Sequence, residues 1–340
     1  MPTATETHPI SALLRRRRPA PPPAPPGTAE LRAGDSRVVI VPALGGRIIA
    51  LELAGRQWLW TAPGLETASS EDPAAGAALG GMDECFPTVA EATVPVGGVP
   101  VTFPEGGELI ARRAETKIAT PRGVMEAVST WRGERHPYRF TRTVRVTAEG
   151  VVEMRYEARN DGEAPLPFIW ASRPFFPLSA ETRILLPQRS RVRVASQHGI
   201  DLGGTGTGAA SEHQWPHLRL EKRVVDLSRP ESVARKYAAK LFVDPVGGTV
   251  AIEEPPLRLE LVVDPQEVPE LGVWINRRAI APKKQRAPNL IALQPGIGAP
   301  DSLAEAMGSW QSARTLAPGE RLRWKVQWRA RRIEDLRPEP

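Results

Sequence analysis

From Arg37 onward apolar and polar residues alternate with a period of two, the pattern of antiparallel strands that bury one face and wet the other. The cleanest stretch sets Tyr138, Phe140, Val144 and Val146 against Arg139, Thr141, Thr143 and Arg145. Ala148-Glu149-Gly150 then turns the chain, and the return strand sets Val152, Met154, Tyr156 and Ala158 against Glu153, Arg155, Glu157 and Arg159. Leu257, Leu259, Leu261 and Val263 repeat the alternation, as do Leu322, Trp324, Val326 and Trp328 against Arg323, Lys325, Gln327 and Arg329. No helical period fits these stretches, and their apolar sides read as core faces rather than ligand platforms. Helix signals are few. Ser302-Leu303-Ala304-Glu305, just after Pro300, offers a Ser-x-x-Glu capping box, and residues 232–240 form a second short helical candidate. With 36 Pro and 29 Gly punctuating short strands, the predicted fold class is all-β: one large antiparallel β-sandwich over residues 29–335, with no internal linker.

Charge changes this picture only at the start of the chain. The net charge is +6, yet half of it comes from Arg15, Arg16, Arg17 and Arg18 set against Glu6. The body is thus only mildly basic, and no charged stripe speaks for a nucleic-acid partner. Residues 1–28, dense in proline and arginine, lack the apolar surface that offsets the entropy of ordering and read as a disordered tail. The PAPPPAPP that follows the arginines cannot serve as an apolar signal core, and no run approaches the roughly 18 apolar residues of a membrane span. The single cysteine, Cys85, excludes an intrachain disulfide. A cytoplasmic protein with no metal, no cofactor and no membrane partner is expected; nothing in the sequence fixes an oligomeric state.

Three segments break the alternation with residues that a sandwich core does not need. Gly80-Gly81-Met82-Asp83-Glu84-Cys85-Phe86-Pro87 places two adjacent carboxylates in a turn-rich stretch. Trp170-Ala171-Ser172-Arg173-Pro174-Phe175-Phe176-Pro177 is aromatic and contains one cation. Ile291-Ala292-Leu293-Gln294-Pro295-Gly296 reads as a strand that stops at a polar residue held before a proline.

Seven segments, taken in order, carry a resemblance: VPALGGRIIALEL (41–53), GGMDECFPTV (80–89), FPEGGEL (103–109), IWASRPFFPL (169–178), AAKLFV (238–243), LGVWIN (271–276) and IALQPGIGAPDSLAEA (291–306). Together they resemble the aldose 1-epimerase, or galactose mutarotase-like, family across nearly the whole body of the chain. The resemblance implies a β-supersandwich that binds a sugar in an open cleft and an isomerase that interconverts hexose anomers without a metal. Such a reaction needs a base for the anomeric hydroxyl and an acid for the ring oxygen, acting together within hydrogen-bond reach. In the family a glutamate, a histidine and a second, supporting histidine do this work. The chain departs at all three places, with Gln294 for the glutamate, Arg173 for the acid histidine and Gly106 for the supporting histidine, although Gly107 and Glu108 keep the rest of that motif. A glutamine amide has no useful basicity, and a guanidinium is a poor proton donor but a good fork for carboxylate or phosphate.

Other residues are candidates to take over the chemistry. Asp83, Glu84 and His198 are the candidate acid and base groups, weighed against turn capping, a surface carboxylate and an exposed loop histidine. Arg173, Gln294, Glu108, Trp170, Trp274 and Lys240 are the candidate substrate-binding residues, weighed against core packing for the tryptophans and snorkelling for the lysine. Arg142 falls on an apolar face and requires a buried partner. Gly203-Gly204-Thr205-Gly206-Thr207-Gly208 lacks the Lys-Ser/Thr ending of a phosphate-binding loop and reads as a loop over the cleft. With no acid near Arg173 in sequence, an anionic sugar derivative is the expected ligand. Three functions stay open: an aldose 1-epimerase-like enzyme of low activity on plain glucose or galactose, a carbohydrate-binding or regulatory protein, and an enzyme recruited to a non-sugar substrate.

Overall fold

The computed structural model describes residues 27–63, 65, 79–205, 212–220, 224–244, 250–281 and 286–336. The expected tail lies, up to residue 26, outside the described residues. Those residues form two large sheets in which every pairing between strands is antiparallel. The larger runs across in the order Ala29–Ala33, Ser36–Val41, Arg47–Leu53, Met82–Cys85, Trp170–Pro177, Asn289–Ile297, Glu270–Arg277, Tyr237–Val243, Arg191–His198 and Glu212–Gln214, with the short Arg56–Gln57 strand beside Arg47–Leu53. The smaller, of eight strands, runs Arg183–Leu185, Val250–Glu254, Leu257–Val263, Arg321–Arg332, Val151–Asn160, Tyr138–Val146, Glu126–Arg132 and Glu115–Ala119. The all-β reading therefore holds.

The alternation read from the sequence sets the smaller sheet's two faces. Tyr138–Val146 pairs with Val151–Asn160 in the register that the turn at 148–150 requires, Tyr138 opposite Asn160 and Val146 opposite Val152. Their apolar sides, with those of Leu257–Val263 and Arg321–Arg332, are buried in one cluster that the larger sheet completes. Tyr156 stacks on Trp324 with ring centroids 5.4 Å apart, and Trp170 of the larger sheet lies 4.7 Å from the first and 5.0 Å from the second. Fully burying side chains of this size stabilises the fold by roughly 1.5–3 kcal/mol each, so such a seam dominates the docking of the two sheets.

Leu303–Met307 is a short helix whose N-cap, Ser302, accepts from the Glu305 backbone N–H, as its capping box predicts. The second helical candidate is corrected. Residues 232–240 run from the end of a 3-10 turn, Pro230–Ser232, through the irregular residues 233–236 into the strand Tyr237–Val243, every residue of which is buried. A strand covered on both faces reads as a continuous apolar run, which periodicity alone does not separate from a helix. Among the described residues no helix is long and apolar enough to cross a membrane.

Candidate functional site

Period-two geometry sends alternate residues of each central strand to opposite faces of the larger sheet. In Trp170–Pro177, Trp170 and Phe176 join the core between the sheets, while Phe175 belongs to a separate cluster on the outer face. Cross-strand register then aligns the outward residues into a row. Asp83 pairs with Arg173, Gln294 with Gly272, Gly272 with Phe242 and Phe242 with Arg193. The pairs Ala171–Gly296 and Phe175–Ala292 set Arg173 opposite Gln294, and Ile48–Met82 sets Arg47 beside Asp83. A second row, one pleat along, is Phe175, Ala292, Trp274 and Lys240. Seven strands thus bring together residues up to 247 positions apart in sequence.

The first row is knit by charge. Arg173 donates from Nε to Asp83 Oδ1 (2.9 Å) and from Nη2 to Oδ2 (3.0 Å), and Arg47 Nη2 donates to the same Oδ2 (2.9 Å). Burial would push the Asp83 carboxyl up, but the Arg173 and Arg47 guanidiniums overcome it and hold the group below its usual range. Asp83 is therefore an ionised, fully engaged clamp with little capacity left to act as a base. The expectation that Arg173 stands free as a fork for an anionic ligand is corrected for the same reason: its partner, Asp83, is 90 residues away in sequence but opposite it in register.

In the second row the Lys240 ammonium donates to Gln294 Oε1 and pairs with Asp301 Oδ1 at 2.9 Å. Gly272 makes room for this contact, since a Cβ there would come within 3.1 Å of both Gln294 Oε1 and Lys240 Nζ. The Asp301 backbone carbonyl accepts from the Val89 and Ala90 N–H groups, which fixes the residue at the edge of the site. Its side chain is 36% exposed whereas that of Lys240 is 7% exposed, so Asp301 is the carboxylate of this cluster that an incoming molecule meets. Half-buried Trp274 and Trp60 pack against Phe175, Leu290 and Ala292 beside it, and Phe242, Ala299 and Trp310 form a second apolar patch with Arg193 over the Trp310 ring at 4.2 Å.

Glu84, next to Asp83, points the opposite way into the core, where Oε1 accepts from Arg142 Nη1 (3.1 Å), the Tyr156 hydroxyl (3.1 Å) and the Ser172 hydroxyl (3.3 Å), and Oε2 accepts from Trp170 Nε1 (3.0 Å). Burial pushes its carboxyl up to about 7 against the pull of Arg142. Glu84 is thus the partner that Arg142 required, and neither it nor Trp170, fully buried in the same network, faces the outer side. Glu108 accepts from the Glu134 and Arg135 backbone N–H groups (3.1 and 3.2 Å) and supports that turn. A histidine in place of Gly106 would be strained, since the backbone there has a φ of +76° and a Cβ would push the Ile110 side chain aside. His198 is exposed at the end of its strand opposite Ala238, on the face that carries Lys240. Of the glycine-rich run, 206–208 lies outside the described residues.

Sequence reasoning missed Arg47 and Asp301. Both stood inside segments already singled out, and extending the strand parity to every residue of those segments finds Arg47; Asp301, on a loop, has no periodic signal. A cavity of about 780 Å³ opens elsewhere, lined by Arg183, Arg191, His213 and Trp215 among others. Its Arg183 and Arg191 are already paired with Glu253 and Asp244, and it contains none of the row, so the candidate site is the outer face of the larger sheet. Among the described residues no group of three or more His, Cys, Asp or Glu is arranged to hold a metal ion.

No known sequence family and no curated protein matches the chain. Solved structures do. A protein of Synechocystis sp. PCC 6803, Slr1438, superposes with a TM-score of 0.65 at 13% identity, over 91% of this chain and 96% of its own. A candidate aldose 1-epimerase of Escherichia coli K12 gives 0.63 at 18% identity, over 90% and 99%. A galactose mutarotase related enzyme of Lactobacillus acidophilus gives 0.61 at 13%, over 91% and 98%. At these identities the likeness is one of architecture: the sequence resemblance and the superpositions agree that this chain has the galactose mutarotase-like β-sandwich fold.

Proposed function

We propose that the chain is an aldose 1-epimerase-like protein that takes a sugar or sugar derivative on the outer face of its larger sheet, with acid and base groups other than the usual ones. The observation that carries this reading is the pairing of half-buried Trp274, beside Phe175 and Trp60, with the polar cluster of Lys240, Gln294 and Asp301. An aromatic wall matches the C–H face of a sugar ring, and a lysine, an amide and a carboxylate supply donors and acceptors for its hydroxyls. The comparison proteins named for mutarotation or aldose epimerisation support the same reading by fold. An acidic sugar suits the cluster better than a neutral one, since Arg47, Arg173 and Lys240 outnumber Asp83 and Asp301 by one charge in a poorly hydrated site. A cytoplasmic location fits a small-molecule enzyme of this kind.

Calorimetric titration with D-glucose, D-galactose, D-glucuronate and D-glucose 6-phosphate tests the reading. Saturable binding of at least one, tightest for an anionic member and weakened about tenfold or more by Trp274→Ala, is expected. Absence of binding by all four overturns it. On plain glucose and galactose the protein is expected to accelerate mutarotation far less than an enzyme with the glutamate and histidine in place, because Gln294 takes no proton and Arg173 gives none.

A further inference from the structure

We infer that Lys240 and Asp301 act together as a proton-transfer couple on the anomeric centre, replacing the acid and base that the chain lacks. This rests on the sugar-binding reading above and adds to it which groups move protons.

Three observations lead there. First, the titratable groups of the first row are spent: Asp83 is locked by two guanidiniums, and Glu84 faces the core. Second, the Lys240 ammonium and the Asp301 carboxylate meet at 2.9 Å on the outer face, one almost covered and the other 36% exposed. Third, both are pinned. Lys240 is held through Gln294 on a fully buried strand, and Asp301 through its backbone carbonyl on Val89 and Ala90. Gln294 therefore gains a role as the acceptor that aims the ammonium, which an amide oxygen performs without ever taking the proton.

The chemistry balances within the pair. A cyclic sugar whose anomeric hydroxyl donates to Asp301 and whose ring oxygen accepts from Lys240 has both groups in hydrogen-bond reach. The carboxylate takes the hydroxyl proton as the ammonium gives one to the ring oxygen. The bond from the anomeric carbon to the ring oxygen breaks, its electron pair stays on that oxygen, and the anomeric carbon becomes an aldehyde carbonyl. The carboxylic acid and the amine so formed are the groups that closure needs. On the other face of the carbonyl the transfer runs in reverse: Lys240 takes the proton of the ring hydroxyl as its oxygen attacks the carbonyl carbon, and Asp301 returns its proton to the carbonyl oxygen, which restores the ion pair. No proton is gained or lost overall, and no other reactant enters.

The test uses whichever of the four sugars binds, added as the pure α anomer, with the approach to equilibrium followed by polarimetry and affinity followed by calorimetry. Wild-type protein is expected to speed mutarotation above the buffer rate. Asp301→Asn and Lys240→Arg keep hydrogen-bonding groups in place but remove the base and exchange the ammonium for a guanidinium, a poor proton donor. Each is expected to lower the rate about 10²-fold or more while affinity changes less than tenfold, and the double variant is expected to be no slower than either single one, as groups working as a unit are non-additive. In mixed H2O and D2O the wild-type rate is expected to fall along a curve that requires two protons in flight. Sugar binding without acceleration, or acceleration that survives Asp301→Asn, overturns the couple and leaves the binding reading standing. No binding by any of the four overturns both.

Discussion

Asp83 is surrounded by more positive charge than it can neutralise, which makes it the residue on which the outer row depends. Arg47 is 1% exposed and Arg173 7%, so replacing their shared partner leaves two guanidiniums without compensation in a poorly hydrated place. Breaking a buried pair from one side typically costs about 3–5 kcal/mol. Asp83→Asn is expected to destabilise the protein by that order in urea unfolding, and Arg173→Met with Asp83→Leu less than Asp83→Asn alone, since only the Arg47 guanidinium, rather than two, is then left without its carboxylate. Glu84 has the opposite signature. Its carboxyl, pushed from 4.5 up to about 7 by burial, holds a proton in the folded chain at pH values where the unfolded chain has released it. Stability from this group therefore falls as pH rises from about 4.5 to about 7, by roughly 1.4 kcal/mol per pH unit, and is unaffected by pH below that window. Glu270, pushed up to about 7 by burial as well, tilts the profile the same way. Unfolding measured across pH 4 to 8 is expected to show a shallower slope in Glu84→Gln than in wild type.

The strand is the scale at which sequence and structure can be compared most directly. In Tyr138–Val146 and Val151–Asn160 one face is core and the other wet, so parity, register and turn were all legible. In Tyr237–Val243 both faces are covered, alternation vanishes, and the lysine that matters sits in what reads as an apolar run. Asp83 and Glu84 show the other limit. Their adjacency told that they point apart, but which one faces outward depends on pairing with a strand some 90 residues later. That Arg142 needed an acid was legible from its place on an apolar face; that the acid is Glu84 required the fold. Glu270–Arg277 contributes a prediction of its own. Gly272→Ala puts a methyl group where Lys240 Nζ and Gln294 Oε1 meet, so it is expected to weaken sugar binding several-fold while shifting the melting temperature by only a few degrees. A large thermal loss with binding intact would show that the glycine serves the strand rather than the site.

At the scale of the whole molecule the first strand begins at Ala29, and Leu31 within it is fully buried. A chain starting at Ala29 is expected, from the composition of what precedes it, to melt within about two degrees of the full-length protein and to bind sugar equally well; a larger drop would show that residues 1–28 contribute to the fold.

The division of each central strand into inward and outward positions has a consequence for how such a protein can change. Inward side chains must fit one another across the seam, where Trp324, Tyr156 and Trp170 leave little tolerance, whereas outward ones answer only to their neighbours in the row. The two sets are interleaved residue by residue yet independently editable. An enzyme built this way can lose one set of reacting groups and acquire another by substitutions at every second position, with no insertion, no shift of register and no disturbance of the seam. Architecture then outlasts chemistry, and two proteins that superpose along almost their whole lengths need share neither a reaction nor more than a small fraction of their residues.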